Sequence, residues 1–371
     1  MNARKYWLGF NVIKGIGPVR LRALRQHFGS LEAAWNAPEA DLLTAGLNRS
    51  VLQNMLQARH SVNLDRLVTQ VEQAGAEFVT LDDSGYPPLL AELPDAPPVL
   101  YYKGTFADAD QWAVAFVGTR RASTYGRDMT YDLVMPLVQA GITIVSGLAR
   151  GIDAAAHQAA LEAGGRTLAV LGCGIDQVYP PEHRQLAAAI VEQGALISEF
   201  PPGTPPDGRN FPVRNRTISG LSLGVVVVEA PQSSGALLTA DLAAEQGRDV
   251  FAVPGNVTAK TSQGVNRLIQ AGAKLVIDAN DILDELNLTR STVETRTQVR
   301  RIAPADAAEA ALLALLTDEP LHIDELCQQA DLPITQVSSA LALMELKGMV
   351  RRLEGMHYTL ARSGGNSYRL D

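Results

Sequence analysis

The stretch ITIVSGLARGIDAAAHQAALEAGGRTLAVLG, Ile142–Gly172, decides the reading of the fold. It is a β-branched run, a Ser-Gly turn, an Ala-rich helical segment and a second apolar run. Both runs are apolar at nearly every position instead of alternating, which is the pattern of a strand buried on both faces. Outward from this stretch the pattern repeats. WAVAFVG, ALISE, GVVVVEA, DVFAVPG and KLVID are short Val/Ile/Leu-rich runs, separated by helical stretches such as MTYDLVMPLVQAG and ALLTADLAAEQG. This alternation predicts an α/β fold: an extended Rossmann-like, doubly wound parallel sheet over residues 81–288, with its functional loops at the carboxyl edge.

The flanks read differently. Residues 1–80 carry apolar residues at helical spacing in VRLRALRQHF and LDRLVTQVEQAG, which predicts an N-terminal helical domain. Within it, IKGIGPVR (Ile13–Arg20) is either a helix-hairpin-helix element of the SAM-like kind or a plain tight turn. LDDSGYPPLLAELPDAPPVLYYKG reads as an irregular connector, and residues 289–306 as a linker. Residues 307–371 follow the order helix, helix, turn, helix, hairpin, which predicts a winged helix. Its third helix is expected from Thr335 to Lys347, ended by Gly348. That helix carries Glu345 and Lys347 but no Arg, Asn or Gln fork for reading base edges, so a protein contact or self-association suits it better than duplex binding.

The chain has 371 residues and a net charge of −8. By region the balance is +3 for residues 1–80 (9 basic, 6 acidic), −9 for 81–288 (14 and 23) and −2 for 289–371 (9 and 11). A polyanion must therefore be held in a focused groove, not by bulk charge. Two distant cysteines, Cys173 and Cys327, and six scattered histidines give no disulfide framework and no metal-ligand spacing. GxGxxG is absent, and GNVTAKTSQG from Gly255 fails the P-loop pattern because Ala259 stands where Gly is needed, so no cofactor is expected. No signal peptide and no membrane-length apolar run is seen, and a cytoplasmic protein is expected.

The candidate residues lie where strands end. Gly118, Thr119 and Arg120 follow the first strand of the sheet. Ser146, Gly147, Gly151 and Asp153 follow the next, with His157 one helical turn on. Asp153 and His157 are either an acid–base pair or a brace for their loop. Cys173, between two glycines, reads as a small buried residue. FPVRNRTISG, Phe211–Gly220, is read as a loop on the long connection between the fourth and fifth strands of the series. With Arg209 just upstream it supplies Arg214, Asn215, Arg216, Ser219 and Gly220, and SSGALLTA closes the pocket at a helix start. Phe211, Tyr125 and Tyr179 are candidates for stacking on bases. Many spread-out donors suit the successive phosphates of a strand better than one metabolite. The alternative is a nucleotide-acting enzyme of the glycosidic hydrolase type, using Asp153, His157, Glu199 and Glu229.

FVGTRRAS, IVSGLARGIDAAAH, GCGIDQVYP, SEFPPG, FPVRNRTISGLSLGVVVVEA, SGALLTA and GRDVFAVPGN, in this order, resemble the DNA-processing DprA/Smf family across residues 81–288. The resemblance implies a homodimer with no catalytic reaction. It would bind and protect single-stranded DNA during natural transformation and load the RecA recombinase onto it. It places the strand-binding pocket at Gly118, Thr119, Arg120, Ser146, Gly147, Gly151, Asp153, Arg214, Asn215, Arg216, Ser219 and Gly220. One departure is that Pro181 and His183 stand where relatives carry Lys and Asn after Tyr-Pro.

Overall fold

The computed structural model describes residues 3–288, 307–316, 321–346, 350–353 and 355–360. The chain divides into two compact units, residues 1–288 and 289–371. The expected linker 289–306, and Lys347 and Gly348, lie outside the described residues.

The first unit begins with six helices: α1 Lys5–Asn11, α2 Pro18–Phe28, α3 Leu31–Asn36, α4 Glu39–Thr44, α5 Arg49–Ser61 and α6 Leu64–Gln73. Short polar residues start three of them. Ser30, Asn48 and Asn63 each accept a hydrogen bond from a first-turn amide, which satisfies a donor that the helix itself cannot. The chain continues through β1 Glu77–Thr80, α7 Pro88–Ala91, β2 Val99–Gly104, β3 Ala113–Val117, α8 Thr124–Gln139, β4 Thr143–Ser146, α9 Ile152–Glu162, β5 Thr167–Val170, α10 Arg184–Gln193, β6 Ala195–Ser198, α11 Asn210–Gly220, β7 Gly224–Val227, α12 Gly235–Glu245, β8 Asp249–Ala252, α13 Gln263–Gln270, β9 Lys274–Leu275 and α14 Ala279–Glu285.

These strands form one nine-stranded sheet in the order β1-β2-β6-β5-β4-β3-β7-β8-β9. Every pairing from β6 to β9 is parallel. β4, β5 and β6 build outward on one side of β3, whereas β7, β8 and β9 build outward on the other. The carboxyl ends of β3 and β7 therefore flank the point where the winding direction reverses, and there a crevice opens in such sheets.

The N-terminal boundary differs from the sequence reading. β1 is a strand of the sheet, and β2, inside the expected irregular connector, pairs antiparallel with both β1 and β6. Leu8, Phe10, Leu24, Leu42 and Met55 of the helices share one apolar cluster with Val99, Tyr101, Leu171 and Leu196 of the sheet region. Residue 80 is thus no boundary between separately packed bodies. The Pro-rich composition hid β2, whose prolines, Pro97 and Pro98, stand just before the strand, where they remove no ladder hydrogen bond.

The stretch expected as a loop is the helix α11, and Pro212 lies in its first turn, where a missing amide costs nothing. Arg216 ties this helix down. Its Nη2 donates to Glu199 Oε2 at 2.9 Å and its Nη1 to Asp95 Oδ2 at 2.8 Å, while Thr217 Oγ1 donates to Glu199 Oε1 at 3.1 Å. Arg216 and Glu199 are only 14% and 11% exposed. His157 of α9 is fully buried. Its Nδ1–H donates to Thr167 Oγ1 (2.7 Å), whose own hydroxyl donates to Ile144 O (2.8 Å), so this histidine braces α9 against β4 and β5.

The second unit holds α15 Ala307–Leu315, β10 Leu321–His322, α16 Ile323–Ala330, α17 Ile334–Leu346, β11 Val350–Leu353 and β12 His357–Leu360, with strand order β10-β12-β11. Leu312, Leu326, Val337, Leu341 and Met344 form its core. This is the expected winged helix with one strand added. β10 is two residues long, too short to leave a periodic signal.

Two stability predictions follow from the buried polar groups. Glu199→Ala strands the Arg216 guanidinium without its buried carboxylate and is expected to cost roughly 3 kcal/mol, read by urea unfolding. Burial pushes the His157 imidazole down to about 3, whereas an unfolded histidine takes its proton near pH ~6.5. The unfolded state therefore binds the extra proton between these values, and stability falls as pH drops through that window by about 1.4 kcal/mol per pH unit. His157→Gln is expected to remove that slope between pH 6 and 4; equal slopes in variant and parent would refute the assignment.

Candidate nucleic-acid interface

The cleft of about 560 Å³ at the switch point is lined by residues from four separate strand ends, joined by the first turns of α11 and α12. Gly118, Thr119 and Arg120 enter it directly after β3, and Asp153 from the start of α9. Phe211, Arg214 and Asn215 enter from α11, and Ser234 and Gly235 from the start of α12. Ser234 caps α12 by accepting from Ala236 N. The N-terminal ends of α9 and α12 both meet the cleft, each contributing about half a positive charge.

Arg214 is the centre of the arrangement. It is 4% exposed. Its Nη1 donates to Gly147 O at 2.5 Å and to Val170 O at 2.6 Å, so one guanidinium joins the ends of β4 and β5 to α11. Its Nε is buried with no intramolecular partner. Gly147 makes room for it: a Cβ there would lie 2.0 Å from Nη1. Gly151 has φ +78°, and a Cβ there would lie 2.2 Å from Thr119 O, so only glycine lets the β3 and β4 loops touch.

Phe211 packs its ring on Gly172 and is flanked by two cations, the Arg120 Cζ at 5.2 Å and the Arg214 Cζ at 5.8 Å from its centroid. Tyr179 is tilted against it at 6.0 Å. Arg120 is exposed, and this ring is its partner. The result is an aromatic shelf with two guanidiniums at its ring, the buried one held by two carbonyls and the other exposed. Cation–π contact holds the exposed one near the ring without neutralising it.

Several expected residues serve other purposes. Asp153 Oδ2 accepts from Gly147 N at 3.1 Å and Ala149 N at 3.3 Å, bracing its loop. Burial pushes its carboxyl above the usual range, while Arg214 and the two amides pull it back. Ser146 Oγ is buried and donates to Phe116 O at 2.6 Å, so it is not available to a phosphate. Arg209, 90% exposed, grips Asp207 through Nε (3.0 Å) and Nη2 (2.8 Å) and does not line the cleft. Ser219 donates back to Asn215 O and Arg216 O, and Gly220 packs on Leu90 and Leu93.

Arg216 is on the wrong side of α11. Two residues along a helix are about 200° apart, so Arg214 and Arg216 cannot face one groove. Among the groups of the enzyme reading, only Asp153 lines the cleft. His157 is buried against Thr167, Glu199 is held by Arg216, and Glu229 accepts from Ser123 N and Oγ at 2.9 and 2.6 Å. Glu229 is the role that sequence reasoning missed: it pins the start of α8 and thereby the loop carrying Arg120. Cys173 is buried, its thiol pushed up to about 11 by burial, and it donates to Gln177 O. His183, at the departure point, hydrogen-bonds Leu148 O.

The model of the DNA recombination-mediator protein A family matches residues 77–287, and that of the DprA winged helix domain matches residues 296–356. The Protein Smf of Synechocystis sp. is 37% identical, over 95% of this chain and 98% of its own length. The X-ray structure of DNA processing protein A from Streptococcus pneumoniae superposes with a TM-score of 0.68 at 35% identity, over 76% of this chain and 97% of that one. DNA processing protein A from Helicobacter pylori, described for its single-stranded DNA binding mode, gives 0.52 at 29% identity, over 58% and 97%. The chain therefore belongs to the DNA recombination-mediator protein A family, DprA/Smf.

Proposed function

We propose that this protein binds single-stranded DNA in the cleft between the carboxyl ends of β3 and β7. The observation that carries the reading is the Arg120–Phe211–Arg214 shelf. An exposed and a buried guanidinium both lie within cation–π reach of one aromatic ring. Phosphates of an unpaired strand meet Arg120 and the amide-rich ends of α9 and α12, while a base stacks on Phe211 or Tyr179. The local cations work against the acidic background of the region, so binding is confined to this groove. The strand-binding mode described for the Helicobacter pylori relative supports the same substrate class.

Of the expected contacts, Gly118, Thr119, Arg120, Asp153, Arg214 and Asn215 belong to the proposed cleft, and Gly147 and Gly151 shape it. Arg216 acts on the fold through Glu199. The wider reading is a homodimeric cytoplasmic protein that protects incoming single strands during natural transformation and hands them to RecA without catalysing a reaction. This rests on the recombination-mediator family, not on the cleft itself.

Arg120→Glu is expected to weaken oligonucleotide binding by tenfold or more with an unchanged melting temperature, and Phe211→Ala by about 1–3 kcal/mol. Fluorescence anisotropy with single-stranded oligonucleotides reads both, and full affinity in Arg120→Glu would sink the site. If roughly three to five phosphates are neutralised, log K falls with log salt at a slope of about −2 to −3.5, largely independent of base sequence.

A further inference from the structure

The motif that the cleft does not absorb is IKGIGPVR in the N-terminal helices. Its turn is rigidly built. Ile13 and Ile16 are buried, Arg20 Nη1 donates to Gly15 O at 2.5 Å, and Asn54 of α5 donates to Lys14 O at 2.9 Å. Gly15, at φ +93°, lies against Val51 in the first turn of α5, which Arg49 opens. Lys14, Arg20 and Arg49 are exposed and thus gathered at one corner.

This corner differs from the rest of the module. Other cations of the first 80 residues are spent on packing: Arg4 on Asp83, Lys5 on Asp65, Arg25 on Asp82, Arg22 on Leu93 O and Arg59 on Ala34 O. Lys14, Arg20 and Arg49 have no carboxylate partner among the described residues. Arg66 stands beside Asp65 at the opposite end of α1. Glu39 acts on α5 at Arg59, ten residues and about 15 Å from Arg49.

The helix α1 that leads into this corner ends toward the same carboxyl edge of the sheet on which the cleft opens. Asn11, which ends α1, donates to Tyr101 Oη at 3.3 Å and to Glu199 O at 3.4 Å, and Glu199 directly follows β6 at its carboxyl end. β3 and β6 are three strand positions apart, roughly 15 Å at about 4.8 Å each. An unpaired strand with phosphates at least ~3.4 Å apart needs at most about five nucleotides for the stretch from β3 to β6, and more to reach the turn beyond Asn11.

We propose that Lys14, Arg20 and Arg49 form a second phosphate-contacting surface, which receives the same single strand after it leaves the cleft. The proposal rests on the cleft reading and lengthens the strand's path along the carboxyl edge. It makes the N-terminal helices a part of the binding surface as well as of the core.

The test uses the full chain and oligonucleotides of roughly 6 and roughly 20 nucleotides. In Lys14→Gln/Arg20→Gln/Arg49→Gln, the salt slope for the long oligonucleotide is expected to shrink by about 2, three contacts at about 0.7 each, while the short one keeps its slope. An unchanged slope on the long oligonucleotide overturns the proposal, and so does an equal loss on both lengths. Should the triple variant melt early, Lys14→Gln alone, an exposed side chain without an ion-pair partner among the described residues, is expected to lose about 0.7 on the long oligonucleotide, and an unchanged slope there overturns the proposal. Arg120→Glu separates the two readings. If it leaves the short oligonucleotide bound, the cleft reading fails whatever the turn does; if only the turn variants are silent, the extension fails and the cleft stands.

Discussion

A buried guanidinium donating to the carbonyls of Gly147 and Val170 is the constraint on which the carboxyl edge of the sheet depends. Those two oxygens sit beyond and at the ends of neighbouring parallel strands, where the ladder stops and backbone acceptors are left over. Burying a charge there is costly unless it is well hydrogen-bonded. Arg214 has two carbonyl acceptors and the field of Asp153, which itself is held by the amides of the same loop. The loop after β4, the end of β5 and the helix α11 are thereby fixed with respect to one another, and Gly147 is the space that permits it.

The arginines divide by what surrounds them more than by what they are. Arg214 is structural and still lines the cleft. Arg216, two residues on, is turned through about 200° by the helix and holds α11 to Glu199 and Asp95. Arg209 is absorbed by Asp207. That leaves Arg120, exposed and leaning on Phe211, as the cation most able to follow a ligand. Glu229 acts at a distance on the same residue, because it pins Ser123 and so the loop between β3 and α8. A net-acidic protein thus keeps a small cationic shelf by pairing the cations it does not need there.

The N-terminal helices are joined to this machinery through the core. They cover one face of the sheet, and the antiparallel strands β1 and β2 carry the chain from them into the parallel series. Asn11 reaches the backbone of Glu199, the same residue whose carboxylate holds Arg216. The helical module, the connector and α11 therefore meet around one buried carboxylate, which burial pushes above the usual range against the pull of Arg216.

The amino-acid sequence by itself determined the layers of this protein. Continuous apolar runs separated by helical spacing specify a parallel sheet, because burial on both faces leaves an unmistakable pattern, and the winged helix was legible from the order of its helices and hairpin. That the glycines at 118, 147 and 151 and the Arg120 turn meet at one edge was legible too, because loops after parallel strands converge there. Only the tertiary structure decided which arginine serves which purpose, that residues 210–220 are a helix, that Ser146 is spent on Phe116, and that β1 and β2 belong to the sheet. Those outcomes depend on helical phase and on carbonyls and carboxylates far away in the chain, such as Val170, Glu199 and Asp95, and no local pattern encodes a partner at that distance.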